Sequence, residues 1–181
     1  ATPFSLGSAI FITEISPKFG EKFYRPVVEI FAGIPSVVYG FFGLVVIVPM
    51  IRDFGKWMKM MGLVEKSGDG KGVLTTSIIL GMMILPTIIG TTESAMRAVP
   101  EQYYEGALAL GATHERSIFT VIIPAAKSGV IAGIVLGIGR AIGETMAVIM
   151  IVGNQPRLVS NMLLGMRTLT GNIVIEMGYA T

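Results

Sequence analysis

The chain has 181 residues, of which 52% are hydrophobic and 14% charged, with a formal net charge of +2 and a mean hydropathy of +0.71. Because an average soluble domain carries roughly 25% charged residues, this composition indicates a membrane protein. Because the chain has no cysteine, it has no disulfide, no thiolate metal site and no cysteine nucleophile. A single histidine cannot form a metal site, so we predict no metal and no cofactor. The net charge of +2 is too small to indicate nucleic-acid binding.

The first residues indicate that the chain is part of a longer protein. Residues 1–13 are uncharged and mostly apolar, but a span needs about 20 residues, so we expect them to complete a span that starts upstream. The sequence opens with neither an initiator methionine nor a basic region, so we expect no signal peptide in these residues. No closing apolar span precedes Thr181, so we expect the first and last spans to be missing. A short charged turn is predicted at Pro17, Lys18, Gly20, Glu21, Lys22 and Arg25.

The next predicted span covers residues 27–51. Its only charge is Glu29, near one end, and its prolines and glycines are tolerated where neighbouring helices satisfy the freed backbone groups. A loop is predicted over residues 52–71, with Trp57 and nearby methionines in an interfacial turn. Its GDGKG string, Gly68 to Gly72, lacks the G-x-x-x-x-G-K-[ST] spacing of a phosphate-binding loop. We therefore do not expect this chain to bind ATP.

A second complete span is predicted over residues 72–92, which are uncharged and contain Pro86. Glu93 and Arg97 follow at i and i+4, a spacing that allows an ion pair at the membrane interface.

Residues 100–124 form a polar stretch between two apolar segments. Pro100 suits the start of a helix, Gly111 its end, and Thr113 the cap of a second helix that Pro124 would stop. Tyr103, Ala107 and Leu110 recur at helical spacing and form an apolar stripe, while His114 is interpreted as a solvated surface residue. We predict a helix, a glycine corner and a second helix, which is also the pattern of an ordinary amphipathic connector between spans.

The span predicted over residues 128–153 carries Arg140 near its midpoint and Glu144 one turn later. A lone charge there costs about 2.5–3.5 kcal/mol, so each needs a partner or a cavity. On a continuous helix, Gly129, Gly133 and Gly137 fall with both charges in an arc of roughly 80°. We expect this face to pack on a helix or line a pathway, with the glycines as a close-packing ridge. Two alternatives remain: a purely structural Arg140–Glu144 bridge, and glycines that only add flexibility.

The remaining residues, 155–181, are polar enough to predict an aqueous or interfacial loop. The positions of lysine and arginine do not decide the orientation of the chain in the membrane.

Part of the polar stretch resembles the cytoplasmic "EAA" loop of ABC-importer permeases, which reads E-A-A-x3-G-x9-I-x-L-P. The matching positions are Glu105, Gly106, Ala107, Gly111, Val121, Ile123 and Pro124, with Gly106 in place of the first alanine and Val121 and Ile123 in place of isoleucine and leucine. The resemblance implies that residues 98–126 are a cytoplasmic coupling loop that docks on an ATP-binding subunit.

Three further strings resemble permeases of bacterial phosphate importers. They are AGIPSVVYGFFG from Ala32, GRAIGETMAVIMIVGN from Gly139 and TLTGNIVIEMGYA from Thr168. The TMAV continuation and the later GN are more similar to the C-type than to the A-type permease subunit.

This resemblance implies an all-α, polytopic transmembrane helix bundle of the MetI-like ABC importer permease type, as one permease domain over residues 1–181. It implies a multi-pass subunit in a bacterial or archaeal cytoplasmic membrane, in contact with lipid. The expected partners are a second permease subunit, ATP-binding subunits that hydrolyse ATP, and an extracytoplasmic phosphate-binding protein. Arg140 and Glu144 would line the substrate pathway. Two alternatives are an importer of another oxyanion, sulfate or molybdate, and an intramembrane enzyme with Glu144 as general base, which lacks an accompanying nucleophile or metal-ligand set.

Overall fold

The structure is a computed structural model that describes residues 1–15, 20–64, 67–157 and 161–179. Over those residues it is helical apart from turns and one isolated bridge between Gly153 and Met166, and it contains no strand, so the predicted all-α fold is confirmed. The helices of the described residues are α1 (Thr2–Ile10), α2 (Arg25–Gly33), α3 (Ser36–Met60), α4 (Val73–Arg97), α5 (Glu101–Ala109), α6 (His114–Ala125), α7 (Lys127–Gly143), α8 (Met146–Ile151) and α9 (Leu169–Met177). Wider π-helical turns continue α1 (Phe11–Ile15), lead into α2 (Gly20–Tyr24) and lie inside α3 (Gly43–Ile47) and α6 (Ile118–Ile122).

Two helices of the described residues, α3 and α4, are long and apolar enough to cross a membrane. The pair α6 and α7 counts as a third only if the two are taken as one span bent by 66°. The predicted span at residues 72–92 is confirmed within α4, which keeps Pro86 in its interior and continues to Arg97. At its end, Arg97 Nε lies 3.1 Å from Glu93 Oε1, as the i, i+4 spacing predicted.

The boundaries predicted around Pro35 and the following loop were wrong. The span expected over residues 27–51 is interrupted between Gly33 and Ser36, because a residue before proline disfavours the helical conformation. Helix α3 then runs through Met60, well into the predicted loop. Its exposed charges suit a helix surface, since Asp53 lies within 3.3 Å of Arg52 and 3.6 Å of Lys56. Of the predicted charged turn, Pro17 and Lys18 lie outside the described residues.

The expected continuous span over residues 128–153 is also interrupted. Helix α7 ends at Gly143 and α8 begins at Met146, so Glu144 lies beyond the helix that carries Arg140. In the region predicted as loop, residues 169–177 form α9, which Thr168 caps by accepting a hydrogen bond from the Gly171 N–H at 3.2 Å.

The described chain divides into two compact units. The first comprises residues 1–33 and 84–140, and its core consists of two apolar clusters. One cluster joins Ala9 and Ile12 to Ile89, and the other joins Met96 of α4 to Ile122 and Ala126. The end of α4 therefore packs against the N-terminal segment and against α6.

The second unit comprises residues 34–83 and 141–179 as far as the structure describes them. Its core contains Tyr39, Val48, Ile79, Met83, Ala147 and Ile151. Within the AGIPSVVYGFFG string, Tyr39 is 4% exposed. A Cβ on Gly40 would lie 2.9 Å from Ala147 Cα, so the glycine permits close contact between α3 and α8. Packing inside this unit therefore accounts for Tyr39 and Gly40 of the string.

Candidate functional site

The polar stretch forms the predicted helix, glycine corner and helix. Helix α5 follows Pro100, and Gly111 has φ +84°, the left-handed conformation that favours glycine. The Gly111 N–H donates to Leu108 O at 2.9 Å and the Ala112 N–H to Ala107 O at 3.1 Å, the paired bonds of a Schellman helix end. Thr113 caps α6, since its Oγ1 accepts the Arg116 N–H at 3.4 Å. The corner is thus fixed by local hydrogen bonds.

The surface of this element is open in the isolated chain. Helix α5 has no buried residue, and Glu105, Gly106, Gly111 and Pro124 are exposed, while Ala107 is half-buried. The predicted apolar stripe does not face a core, because Leu110 is 90% exposed and Tyr103 57% exposed. Exposed apolar side chains on a short helix with this much polar surface are not explained by internal packing and are typical of a surface that contacts another protein or the membrane.

His114 holds this element to the N-terminal segment, a role that its interpretation as a solvated side chain missed. The ring is exposed, but its Nδ1 lies 2.8 Å from the Tyr104 hydroxyl and its Nε2 lies 3.3 Å from the backbone carbonyl of Glu14. Since a carbonyl only accepts, Nε2 carries the proton and Nδ1 accepts from Tyr104 in the neutral ring. No local sequence signal joins positions a hundred residues apart.

The Glu14 side chain lies in the same region of the first unit. Burial raises the pKa of its carboxyl above the ordinary value of 4.5, and the nearby His114 and Arg97 oppose that rise only in part. Because the pKa of Glu14 is higher in the folded state than in the unfolded chain, protonation of this carboxyl favours folding. Its contribution to the free energy of unfolding is complete below about pH 4.5 and is lost as the pH rises through the folded-state pKa.

The three glycines of the proposed ridge lie on the face of α7 that contacts α4, within the first unit. A Cβ on Gly133 would lie 3.2 Å from Thr91 Cβ, and one on Gly137 would lie 2.8 Å from Ile88 Cγ1. A Cβ on Gly129 would overlap the Ala95 side chain. In contrast, a Cβ on Gly139 of the same helix would meet no atom within 4 Å.

Arg140 and Glu144 each have a partner that the sequence did not reveal. Arg140 Nη1 donates to Thr87 Oγ1 of α4 at 3.1 Å, and the arginine is half-buried. Glu144 Oε1 accepts the Ala147 N–H at 3.2 Å, so its side chain binds the first turn of α8. The premise that the two residues share a face of one continuous helix is corrected, because α7 ends at Gly143.

Glu144 also lines a cavity of about 310 Å³ within the second unit. Its neighbours around the cavity include the hydroxyl residues Thr76, Ser77, Thr168 and Thr170, together with apolar side chains. Over the part of the chain that the structure describes, no group of three or more His, Cys, Asp or Glu residues is placed to hold a metal ion.

The chain matches known proteins over nearly its whole length. Residues 2–177 match the family described as "Binding-protein-dependent transport system inner membrane component". The whole chain is 42% identical to the "Probable ABC transporter permease protein YqgH" of Bacillus subtilis (strain 168), of which it covers 55%. It is 36% identical, again over the whole chain, to the "Phosphate transport system permease protein PstC" of Xylella fastidiosa (strain Temecula1 / ATCC 700964), of which it covers 59%.

A third relative has the same kind of description. The chain is 35% identical over 99% of its length to the "Phosphate transport system permease protein PstC 1" of Mycobacterium tuberculosis (strain ATCC 25618 / H37Rv), of which it covers 56%. The chain therefore spans somewhat more than half the length of these relatives.

Proposed function

Because the chain belongs to the family of binding-protein-dependent transport system inner membrane components, we propose that it helps form the translocation path of an ATP-driven phosphate importer. The relatives named PstC support phosphate as the substrate, since their descriptions are those of phosphate transport permeases. The full-length protein would be a multi-pass subunit of a bacterial or archaeal cytoplasmic membrane. It would make and break no covalent bond, and ATP hydrolysis would belong to a partner chain.

The observation that carries this proposal is the exposed coupling loop of residues 98–126. Its two helices meet at Gly111 in a fixed corner, and although Ile118 and Ile122 are buried, the apolar side chains of Tyr103 and Leu110 are exposed, Leu110 to 90%. A rigid corner with an apolar surface couples the movement of a docked subunit to the membrane helices better than a flexible connector would. The proposed occupant is the ATP-binding subunit, and the complex would also contain a second permease subunit and an extracytoplasmic phosphate-binding protein.

Arg140 is the proposed phosphate contact in the membrane. A guanidinium is permanently charged and presents a planar set of donors that matches two oxygens of an oxyanion. Thr87 uses one of these donors and positions the group, but a neutral hydroxyl leaves the positive charge uncompensated. Glu144, whose Oε1 already accepts the Ala147 N–H, adds a negative charge that would keep anions from being trapped in the empty pathway.

The test is radiolabelled phosphate uptake in cells that lack their own phosphate importers and express the full-length protein with its partner subunits. We expect saturable, ATP-dependent uptake that an excess of sulfate or molybdate leaves unchanged. Uptake of sulfate or molybdate in place of phosphate would favour the alternative oxyanion importer. The absence of transport, together with the absence of a co-purifying ATP-binding subunit, would contradict the proposal.

A further inference from the structure

A polar cavity of about 410 Å³ lies within the second unit, beside the N-terminal end of α4. It is lined by the polar residues Ser67, Asp69, Lys71, Gln155 and Arg157, together with Gly68, Gly153, Leu164 and Gly165. At about 30 Å³ per water, this volume holds roughly a dozen waters, enough for a small ion that keeps part of its hydration shell. The cavity is separate from the pocket that Glu144 lines.

The backbone around this cavity is closely packed, and the glycines of the GDGKG string make that packing sterically possible. A Cβ on Gly68 would overlap the carbonyl of Leu163, and one on Gly72 would lie 2.7 Å from the carbonyl of Leu164. Gly70 has φ +83°, and its carbonyl accepts a hydrogen bond from the Thr75 hydroxyl. The packed backbone therefore holds the intervening residues, Asp69 and Lys71, at the cavity.

The opposite wall is fixed in a similar way. The Met166 N–H donates to Val152 O at 3.0 Å beside the bridge between Gly153 and Met166. Arg157 Nε donates to Gly165 O at 3.0 Å, which anchors the guanidinium by one edge. Within the described residues, its two terminal nitrogens have no hydrogen-bond partner and remain available as a pair of donors.

Among the described residues, the lining of this cavity carries more positive than negative side chains. Over the described parts of the chain, neither Lys71 nor Arg157 forms an ion pair, whereas Arg167 of the same unit lies 3.0 Å from Glu176. The two cations outweigh the single carboxylate, Asp69, so the lining carries a net positive charge. Oxyanions suit this combination, because a guanidinium pairs with two of their oxygens and an ammonium adds a mobile point charge.

The position of residues 67–72 along the chain indicates on which side of the membrane they lie. Residues 67–72 precede the first residue of α4 and the coupling loop follows its last residue. A 25-residue helix is about 37 Å long, more than the ~30 Å hydrocarbon core, so its two ends reach opposite membrane surfaces. If the coupling loop is cytoplasmic, the cavity faces the extracytoplasmic side.

We infer that this cavity is an entry site where Lys71 and Arg157 bind inorganic phosphate before it moves into the membrane. This inference rests on the proposed function for the direction of transport, but the binding itself does not require transport. Asp69 places a negative charge in the same lining and opposes the two cations, so the site would hold the anion weakly enough to release it.

The first experiment measures equilibrium binding of radiolabelled inorganic phosphate, without any binding protein, to the purified full-length complex. The variants are Lys71→Gln and Arg157→Gln, and the matched control is Lys59→Gln, which removes an exposed charge of α3 that does not line the cavity. We expect each cavity variant to weaken phosphate binding at least threefold and the control to leave it unchanged. Asp69→Asn, which removes the opposing charge, is expected to strengthen binding.

The second experiment measures uptake by the same variants with the binding protein present. It distinguishes two possible occupants of the cavity: free phosphate, and a carboxylate side chain of the docked binding protein. Weaker phosphate binding accompanied by a higher half-saturating phosphate concentration supports the entry site. Unchanged phosphate binding in both cavity variants overturns it, even if uptake falls, because the cations then contact the binding protein. If the parent complex binds phosphate at this cavity but transports none, the proposed function fails and the cavity assignment stands.

Discussion

At the scale of single residues, Arg140 shows that the partner of a charged residue in a span cannot be assigned from sequence spacing alone. The i, i+4 spacing of Arg140 and Glu144 predicted an ion pair, but in the structure Arg140 donates to the Thr87 hydroxyl and Glu144 accepts from the Ala147 N–H. Glu144 binds the start of α8 because a carboxylate there satisfies a backbone donor that would otherwise lack a partner. Hydropathy cannot reveal this break, since the residues on both sides of Glu144 are equally apolar.

Replacement of Arg140 tests the phosphate contact. Hydrogen bonds to charged groups contribute roughly 1.5–3 kcal/mol, so Arg140→Ala should lower phosphate uptake about tenfold or more. Thr87→Val, which keeps the cation and removes only its anchor, should have a smaller effect. Co-purification of the ATP-binding subunit should not change in either variant. The exchange variant Arg140→Glu with Glu144→Arg should also lose uptake, and uptake at the parental rate would show that the two residues have only a structural role.

At the scale of elements, the coupling loop was predictable because its signals are local. A proline, a glycine and a threonine fix the start of α5, its end and the cap of α6 through bonds within a few residues. The extension of α3 through Met60, the separate helix α8 and the helix α9 were not predictable in this way. Helix α8 depends on a contact between distant segments, Gly40 of α3 against Ala147, whereas α9 has a local cap at Thr168 that the polar composition of residues 155–181 obscured.

The glycine corner gives the first prediction at this scale. Gly111→Leu places a side chain in the left-handed region at a cost of roughly 1–2 kcal/mol, so the angle between α5 and α6 should change. We expect ATP hydrolysis to continue and phosphate uptake to fall. The matched control is Gly62→Leu, which makes the same change at a left-handed glycine outside the loop, where an added Cβ meets no atom within 4 Å, and it should transport normally. Normal uptake in the Gly111 variant would contradict the coupling role.

The glycine ridge of α7 gives the second prediction. Gly133→Ile adds atoms where Thr91 already lies 3.2 Å from the added Cβ, and overpacking of this kind typically costs about 1–3 kcal/mol. The yield of assembled complex and its melting temperature should both fall. Gly139→Ile makes the same change on an exposed position of the same helix and should leave both unchanged. If the two variants behave alike, flexibility rather than close packing explains the glycines.

At the scale of the whole molecule, orientation in the membrane is the property that sequence reasoning left open. Basic residues occur on both sides of the predicted spans, so their distribution does not select a direction. Helix α4 is long and apolar enough to cross the membrane, so the segment before Val73 and the proposed coupling loop after Arg97 are expected on opposite sides.

The absence of cysteine in these 181 residues allows a direct test. Leu63→Cys and Leu110→Cys place single thiols at exposed positions on either side of α4. In intact cells, a membrane-impermeant maleimide should label the cysteine at position 63, and it should label the one at position 110 only after permeabilisation. The parent protein, treated in parallel, reports any cysteine outside these residues. The reverse pattern would place the coupling loop outside the cell and exclude contact with a cytoplasmic ATP-binding subunit.

The alternating glycines at positions 68, 70 and 72 also bear on how variation in this protein should be interpreted. Each lies where neighbouring backbone leaves no room for a Cβ, while Asp69 and Lys71 between them are not limited in this way. Saturation mutagenesis of these five positions, scored by the yield of assembled complex rather than by transport, should therefore give a period-two pattern of tolerance, although the segment is not a strand. Three invariant glycines in such a motif could be mistaken for a nucleotide-binding loop. Here the carbonyl oxygens of Leu163, Val48 and Leu164, which leave no room for a Cβ at positions 68, 70 and 72, are enough to explain them.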